Sequence, residues 1–462
     1  MIKYLTTFST VADYNTFLGS EDCPYINVSH ITGTNENKYY KNTAAPIQPF
    51  TITITAGEGT YYSFGCYIRK ANQNKNVVVY VKVNNGDWNM IHNGDQGSIR
   101  LADNLKKDDV VQIKCDNCKT FTDFNIENGD DDVRLKVSGN FNSLFTSENY
   151  QYYIIPDFRE SFQYCHNLLS YTNGHVDDAE DLWLPTNCLP QHVFQALFSG
   201  NTYLTKAPDI DALYLPLEAC KEMFYGCTSL VNMPNIAATS VDSCGTFKDM
   251  FHGCESLANA TALHIENIYV SQSSQYNGLF DNMFYGCTSL VTAPSWTTGY
   301  EVYFSPKGTN TNNVQHMFKE TFRDCTSLTT CNWELRIKTE HGVNPDWENN
   351  ILYDNINEMF YGCYALVSPF EITIGPEFME YDPNASPFNL NITNVFNGCQ
   401  YITEFIFSKV KGRIQCDDGV PSGTGTFYVA DDSIYLDPNS SYYGQTPISG
   451  WTVESINNYP NS

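Results

Sequence analysis

The octapeptide Met223-Phe224-Tyr225-Gly226-Cys227-Thr228-Ser229-Leu230 constrains this chain more than any other stretch, because it returns. It reads MFHGCESL from Met250, MFYGCTSL from Met283, TFRDCTSL from Thr321 and MFYGCYAL from Met359. Weaker copies at residues 161–168 (SFQYCHNL), 197–204 (LFSGNTYL, with Asn201 in place of Cys) and 395–402 (VFNGCQYI) bring the series to eight. Successive markers lie roughly 26 to 38 residues apart. At that period each unit is one supersecondary element that cannot bury its apolar face alone and must stack on its neighbours. The expected architecture is a solenoid.

Within each copy the Phe, Cys and Leu are the positions to point inward. The predicted repeat core is therefore Phe224, Cys227 and Leu230; Phe251, Cys254 and Leu257; Phe284, Cys287 and Leu290; Phe322, Cys325 and Leu328; and Phe360, Cys363 and Leu366. Residues 220–227 read as a short helical turn that Gly226 ends, followed by an extended piece that stops at Pro234. Each unit is thus expected to be a bent helix–strand hairpin. The expected fold class is α+β, mostly β: a small N-terminal β-sandwich, then a repeat solenoid with a C-terminal cap.

Four regions follow from the pattern. Residues 1–45 are polar and tyrosine-rich with one strand-like run, in which Tyr25, Ile26, Val28 and Ile31 are candidate attachment residues. This stretch reads either as a loose terminus or as an arm that adds a strand to a partner. Residues 46–137 change to a period of two, with strand candidates at 50–55, 61–68, 77–83, 98–101, 110–114 and 133–137. The Asn/Asp/Gly turns at 56–59, 84–87 and 93–95 predict antiparallel hairpins between them. Residues 138–408 hold the repeats and 409–462 the cap.

Composition narrows the function classes. With 52 acidic against 26 basic residues the formal charge is −26, which repels phosphate backbones and argues against nucleic acid as a partner. No run approaches the ~20 apolar residues of a membrane span. The first residues lack the apolar stretch of a secretory signal, which points to folding in a cytoplasm. The 16 cysteines, most of them at the marker, are then expected to be reduced packing thiols.

Catalytic and metal motifs are absent: there is no GxxxxGK[ST], HExxH, GxSxG or DxDxDG. Cys115 and Cys118 have the spacing of half a zinc site, without a second pair. Asp130, Asp131 and Asp132, and Asp431 with Asp432, offer oxygens suited to calcium, but such turns are more often solvated loop tips. His175 with Asp177 and Asp178 lacks a nucleophile. The reading is a non-enzyme with no catalytic residue, no metal and no cofactor. The chain's 32 tyrosines and six tryptophans make a carbohydrate ligand plausible. Trp296, Tyr300, Tyr303, Trp333 and Trp347, in or near the long polar insertions, are the candidate ligand-binding aromatics.

The runs MFYGCTSL-VNMP, MFYGCTSL-VTAP and MFYGCYAL-VSP resemble BspA-type leucine-rich repeats, found in surface proteins of Bacteroidetes and in phages that infect them. Residues 137–144 (VSGNFNSL) resemble the first-coil entry of such proteins, and Gly450-Trp451-Thr452-Val453 their closing strand. The resemblance covers about three quarters of the chain. Two departures stand out: the loops between repeats are longer, and the export signal of bacterial members is missing. The second favours a phage protein, and residues 24–40 (PYINVSHITGTNENKYY) are similar to segments of structural proteins of Bacteroidetes phages. The resemblance implies a virion fibre or adhesin on head or tail, assembled in the host cytoplasm. Other virion proteins would be contacted through the arm, and a host surface glycan or protein through the repeats. Homo-oligomerisation stays open. A bacterial cell-surface adhesin and a glycan-cleaving depolymerase are the alternatives.

Overall fold

A computed structural model describes residues 3–7, 26–30, 37–41, 48–57, 62–70, 73–127, 133–144, 175–184, 189, 191–242, 244–265, 268–269, 278–295, 301–304, 317–331, 335–339, 356–367, 370–374, 390–407, 412–416 and 424–460. The chain forms two compact units, Met1–Thr239 and Ser240–Ser462. It is almost entirely β-structure and includes a β-solenoid of about six turns.

In the first unit, strands β1 (Lys3–Thr7), β2 (Ile26–His30) and β3 (Asn37–Lys41) make one sheet, with β3 in the middle and antiparallel to both others. The strand run expected near Tyr25 is therefore paired inside its own chain. Ile26 and Val28 lie on β2, whereas Tyr25 and Ile31 fall outside the described residues.

Period-two patterning then produces β4 (Phe50–Ala56), β5 (Tyr62–Lys70), β6 (Val77–Val83), β7 (Asn89–Gly94), β8 (Gly97–Leu105), β9 (Val110–Asp116), β10 (Cys118–Glu127) and β11 (Arg134–Asn140). They form two sheets. In one, β5 lies between β8 and β10; in the other the order is β11-β4-β9-β6-β7. Alternation aligns the buried side chains across strands: Val81 pairs with Ile113 and Ile113 with Phe50, while Val137 pairs with Ile52 and Ile52 with Val111. Of the three expected hairpin turns, only residues 84–87 join paired strands, β6 and β7. The connections from β4 to β5 and from β7 to β8 carry the chain from one sheet to the other, because β5 and β8 pair with each other rather than with β4 and β7. Turn chemistry permits a reversal, but cross-strand packing chooses the partner.

Beyond β11 the sheet changes direction. β12 (His175–Asp178) and β13 (Leu182–Trp183) run parallel to β11. The Thr205 N–H then donates to the Asp177 carbonyl and the Ala179 N–H to the Lys206 carbonyl, which ties β12 to the first described marker. Asn201, where other copies carry Cys, serves this junction. Its Oδ1 accepts the Val176 N–H at 2.7 Å and its Nδ2 donates to the Phe198 carbonyl at 2.9 Å.

Seven of the eight markers fall on described residues; the copy at 161–168 lies outside them. The expected helical turn is not what they form, and α+β gives way to an almost all-β chain. An α-helix would return each N–H to the carbonyl four residues back. Here two residues four apart, one just before the marker and one within it, are left-handed at every described marker, for example Asp249 (φ 53°) with Gly253 (φ 71°) and Asn282 (φ 52°) with Gly286 (φ 71°). The reversals split the N–H groups into two sets. Lys248, Met250, His252 and Cys254 close turns onto the carbonyl three residues back. Phe247, Asp249, Phe251 and Gly253 instead donate to Leu279, Asp281, Met283 and Tyr285 of the next coil, at 2.8–3.0 Å. In the first unit, Ala196, Phe198 and Gly200 donate in the same way to Lys221, Met223 and Tyr225. Gly226 does not end a helix; at φ 69° it is one element of this turn.

All fifteen residues of the predicted repeat core are buried. In the second unit the rings of Phe251, Phe284, Phe322, Phe360 and Phe396 stack with centroids 5.4–5.6 Å apart. A second column, four residues earlier, stacks Phe247 on Phe280 and Phe280 on Phe318. The marker cysteines close the backbone: the thiols of Cys287, Cys325, Cys363 and Cys399 donate to the carbonyls of Phe251, Phe284, Phe322 and Phe360 in the preceding coil, at 3.0–3.2 Å. A small side chain that packs like a hydrophobe and also donates weakly suits this position. Every described cysteine is a free thiol.

Opposite the markers, strands Glu301–Phe304, Leu335–Thr339, Phe370–Ile374 and Glu404–Phe407 form a parallel ladder. The ladder outlasts the markers. Strands Thr426–Val429 and Thr452–Ser455 extend it by two rungs through the region expected to cap the repeats. Trp451 stacks on Phe405 at 5.4 Å and meets Phe427 at 5.1 Å. Gly425 makes room for this indole, since a Cβ there would lie 2.5 Å from its ring carbons.

Candidate functional site

The turn geometry fixes two outward features of the second unit, and their chemistry differs. The residue after each of the first four marker Phe of this unit projects into a ridge: His252, Tyr285, Arg323 and Tyr361. His252 stacks on Tyr285 at 4.5 Å, and the Arg323 guanidinium lies 5.5 Å from the Tyr285 ring centre and 4.7 Å from that of Tyr361. Acidic residues from the left-handed positions flank it. Asp249 bonds the His252 ring at 3.0 Å, and Glu320 and Glu358 both pair with Arg323. Because these groups face one another, the ridge offers edges rather than open ring faces. It braces the coils and is a poor platform for a flat ligand.

The second feature is a face made by residues between and after the marker Cys and Leu. Its rows are Glu255, Thr288, Thr326 and Tyr364; Ala258, Val291, Thr329 and Val367; and Asn259, Thr292 and Thr330. Val291, Tyr364 and Val367 are 47%, 48% and 51% exposed, and Tyr401 of the following coil is 61% exposed. The face is regular: the Thr329 N–H donates to the Val291 carbonyl at 2.8 Å and the Val367 N–H to the Thr329 carbonyl at 3.0 Å. Thr292 and Thr330 form a parallel bridge with their hydroxyls 3.2 Å apart. Glu255 is the only charged residue in these rows, although the chain as a whole carries −26. Methyls, hydroxyls and phenol rings thus recur at the strand spacing of roughly 4.8 Å.

Trp296, Tyr300, Trp333 and Trp347 lie outside the described residues, and Tyr303 sits on strand Glu301–Phe304, paired with Lys338. The face was legible nevertheless, in the uncharged outward positions of T-S-L-V-T and T-S-L-T-T.

The remaining candidates have structural employment. Cys115 and Cys118 are buried thiols, and burial pushes the Cys115 thiol well up, so it stays protonated. Among the described residues no group of three His, Cys, Asp or Glu side chains is placed to hold a metal. His175 packs edge-on against Tyr203 at 4.7 Å, and the Arg134 guanidinium covers the same tyrosine at 4.3 Å. Asp177 accepts the Thr55 hydroxyl at 2.9 Å, its carboxyl pushed up by burial. Asp178 lies between Lys136 and Lys206, at 3.5 and 3.8 Å. This trio fastens β12 to its neighbours and contains no nucleophile. Asp431 accepts hydrogen bonds from Ser455 and Asn457 and so pins the last turn, while Asp130, Asp131 and Asp132 fall outside the described residues. No protein-family model, no curated protein and no solved structure gives a significant match to this chain.

Proposed function

We propose that the chain is a virion-associated fibre or adhesin of a phage of gut Bacteroidetes, in which the repeat face contacts the host cell surface. The observation that carries this reading is the uncharged, regularly repeated face through Val291, Thr329 and Val367, in a chain whose other surfaces are rich in carboxylates. Four of the large apolar residues exposed in the second unit, Val291, Tyr364, Val367 and Tyr401, cluster on these coils. Apolar exposure concentrated on one face is characteristic of interaction sites. The resemblance of the markers to BspA-type repeats supports the same reading.

In this arrangement residues 1–45 dock on another virion protein. β2 stands at the edge of its sheet, so a partner strand can add to it by ordinary ladder bonding. The two sheets of residues 48–140 then pack as a sandwich that spaces the arm from the repeats. Mass spectrometry of gradient-purified particles tests the assignment. The chain should appear as a stoichiometric component, and a version lacking residues 1–45 should no longer co-purify. Its absence from particles together with its presence on bacterial envelopes would replace this reading with the bacterial adhesin.

A further inference from the structure

We infer that the chain carries a second binding site, for an anionic sugar, in a cleft of the first unit that is independent of the repeat face. The cleft has a volume of about 660 Å³, within the range that accommodates a small ligand. It is lined by Lys82, Asn84, Asn85, Lys106, Lys107 and Gln112, together with Asp108, Asp109 and Val110. Val110 is the only apolar residue among them. This excludes a hydrophobic ligand and suits a hydrated, hydrogen-bonding one.

Its floor is built rather than incidental. The turn after β6 and the turn before β9 are cross-linked: Asn84 Nδ2 donates to Asp109 Oδ1 at 2.8 Å, and the Val110 N–H donates to Asn84 Oδ1 at 2.8 Å. Asp109 Oδ2 accepts the Lys106 N–H at 2.9 Å, and the Asn84 N–H donates to the Val110 carbonyl at 2.8 Å. Both Asp109 oxygens are thus committed, one to the Asn84 amide and one to the Lys106 backbone, and the residue is buried.

Lys82, Lys106 and Lys107 make no ion pair with any described residue. In a chain with twice as many acidic as basic residues, three lysines lining one cleft without a salt bridge to a described residue are unexpected. Against them the lining sets Asp108, exposed and left-handed at φ 70°, and the internally bonded Asp109, so the cleft remains net positive. Ammonium groups recognise the carboxylate, sulfate or phosphate of an acidic sugar, and the amides of Asn85 and Gln112 can bond its hydroxyls.

Titration calorimetry on the full-length chain at low salt tests this with four probes: a polyuronate, a sulfated glycan, inorganic phosphate and a neutral dextran. At least one anion should bind and weaken as salt is raised, while dextran should not bind. The anion that binds identifies which acidic group the cleft takes. The double variant Lys106→Ala/Lys107→Ala should lose about tenfold in affinity with an unchanged melting temperature. Lys82→Gln should give a smaller loss in the same direction. Failure of all three anions, or equal affinity in the double variant, would overturn the inference. Neither result touches the repeat face, whose contact with cells is measured separately.

Discussion

Replacing Phe284 by Ala removes the second ring of five, one that is stacked on both sides. Phe284 is fully buried, 5.5 Å from Phe251 on one side and 5.4 Å from Phe322 on the other. A buried aromatic removes roughly 150–250 Å² from water, worth roughly 4–6 kcal/mol at ~25 cal/mol/Å². Alanine retains a methyl group, about 0.8 kcal/mol of that. Loss of two ring stacks adds about 1–3 kcal/mol, and partial collapse of the site gives some back. The expected destabilisation is about 4–5 kcal/mol, near the top of the range for emptying an aromatic core site. Urea unfolding of the full-length chain, followed by far-ultraviolet circular dichroism, measures it. Because solenoid coils depend on nearest neighbours, the transition should also broaden or divide, with the coils around Phe284 melting first. The outward Thr288→Ala serves as control and should change stability by less than about 0.5 kcal/mol. A Phe284→Ala loss below about 1 kcal/mol would refute the stacked-ring account of the core.

Three further perturbations follow. Burial raises the thiols of Cys287, Cys325 and Cys363 well above their usual range and that of Cys399 to about 12, so the native chain should react with Ellman's reagent at none of them. Among the described cysteines, Cys416, the one that is not fully buried, should label first; rapid native labelling at Cys325 would contradict the packing role. Asp281, whose carboxyl burial pushes up to about 8 despite Lys248 at 3.9 Å, is ionised more readily in the unfolded chain. Stability should therefore be greatest below pH 4 as far as this group is concerned. It should fall as pH rises to about 8, by at most ~1.4 kcal/mol per pH unit, and Asp281→Asn should flatten that slope. Gly425→Ala would drive a methyl into the Trp451 ring and should cost about 1–3 kcal/mol in chemical denaturation; an unchanged midpoint would show that the indole does not seat there.

The solenoid was legible because one octapeptide recurs, and its Phe, Cys and Leu positions are the ones a stacked coil must bury. The local backbone was not. Gly226 four residues after Glu222 reads as a helix stop, yet both are left-handed (φ 69° and 56°), and the alternation sends every second N–H to a neighbouring coil. A single copy cannot announce bonds whose acceptors lie a full repeat away. The second phenylalanine column, Phe247, Phe280 and Phe318, was hidden because Cys220 and Ile356 occupy the same position in other copies. Strands β7 and β10 escaped for a simpler reason: Asn89-Met90-Ile91-His92-Asn93 has its apolar pair side by side, and the polar residues between Cys118 and Glu127 dilute the alternation. The continued ladder through Phe427 and Val453 was read as a cap because the marker stops at Ile402 while the strands do not. The outward face was spelled in small residues, which carry less sequence signal than the tryptophans of the insertions.

The most direct test of the proposed role is equilibrium binding of the purified, fluorescently labelled full-length chain to intact gut Bacteroidetes cells, with phage adsorption measured in parallel. The account predicts saturable binding that reduces adsorption of the phage, and loss of both effects when Val291 and Val367 are replaced by Glu in a protein that melts normally. Absence of saturable binding, or binding unaffected by those two charges, would contradict the claim that the repeat face is the recognition surface.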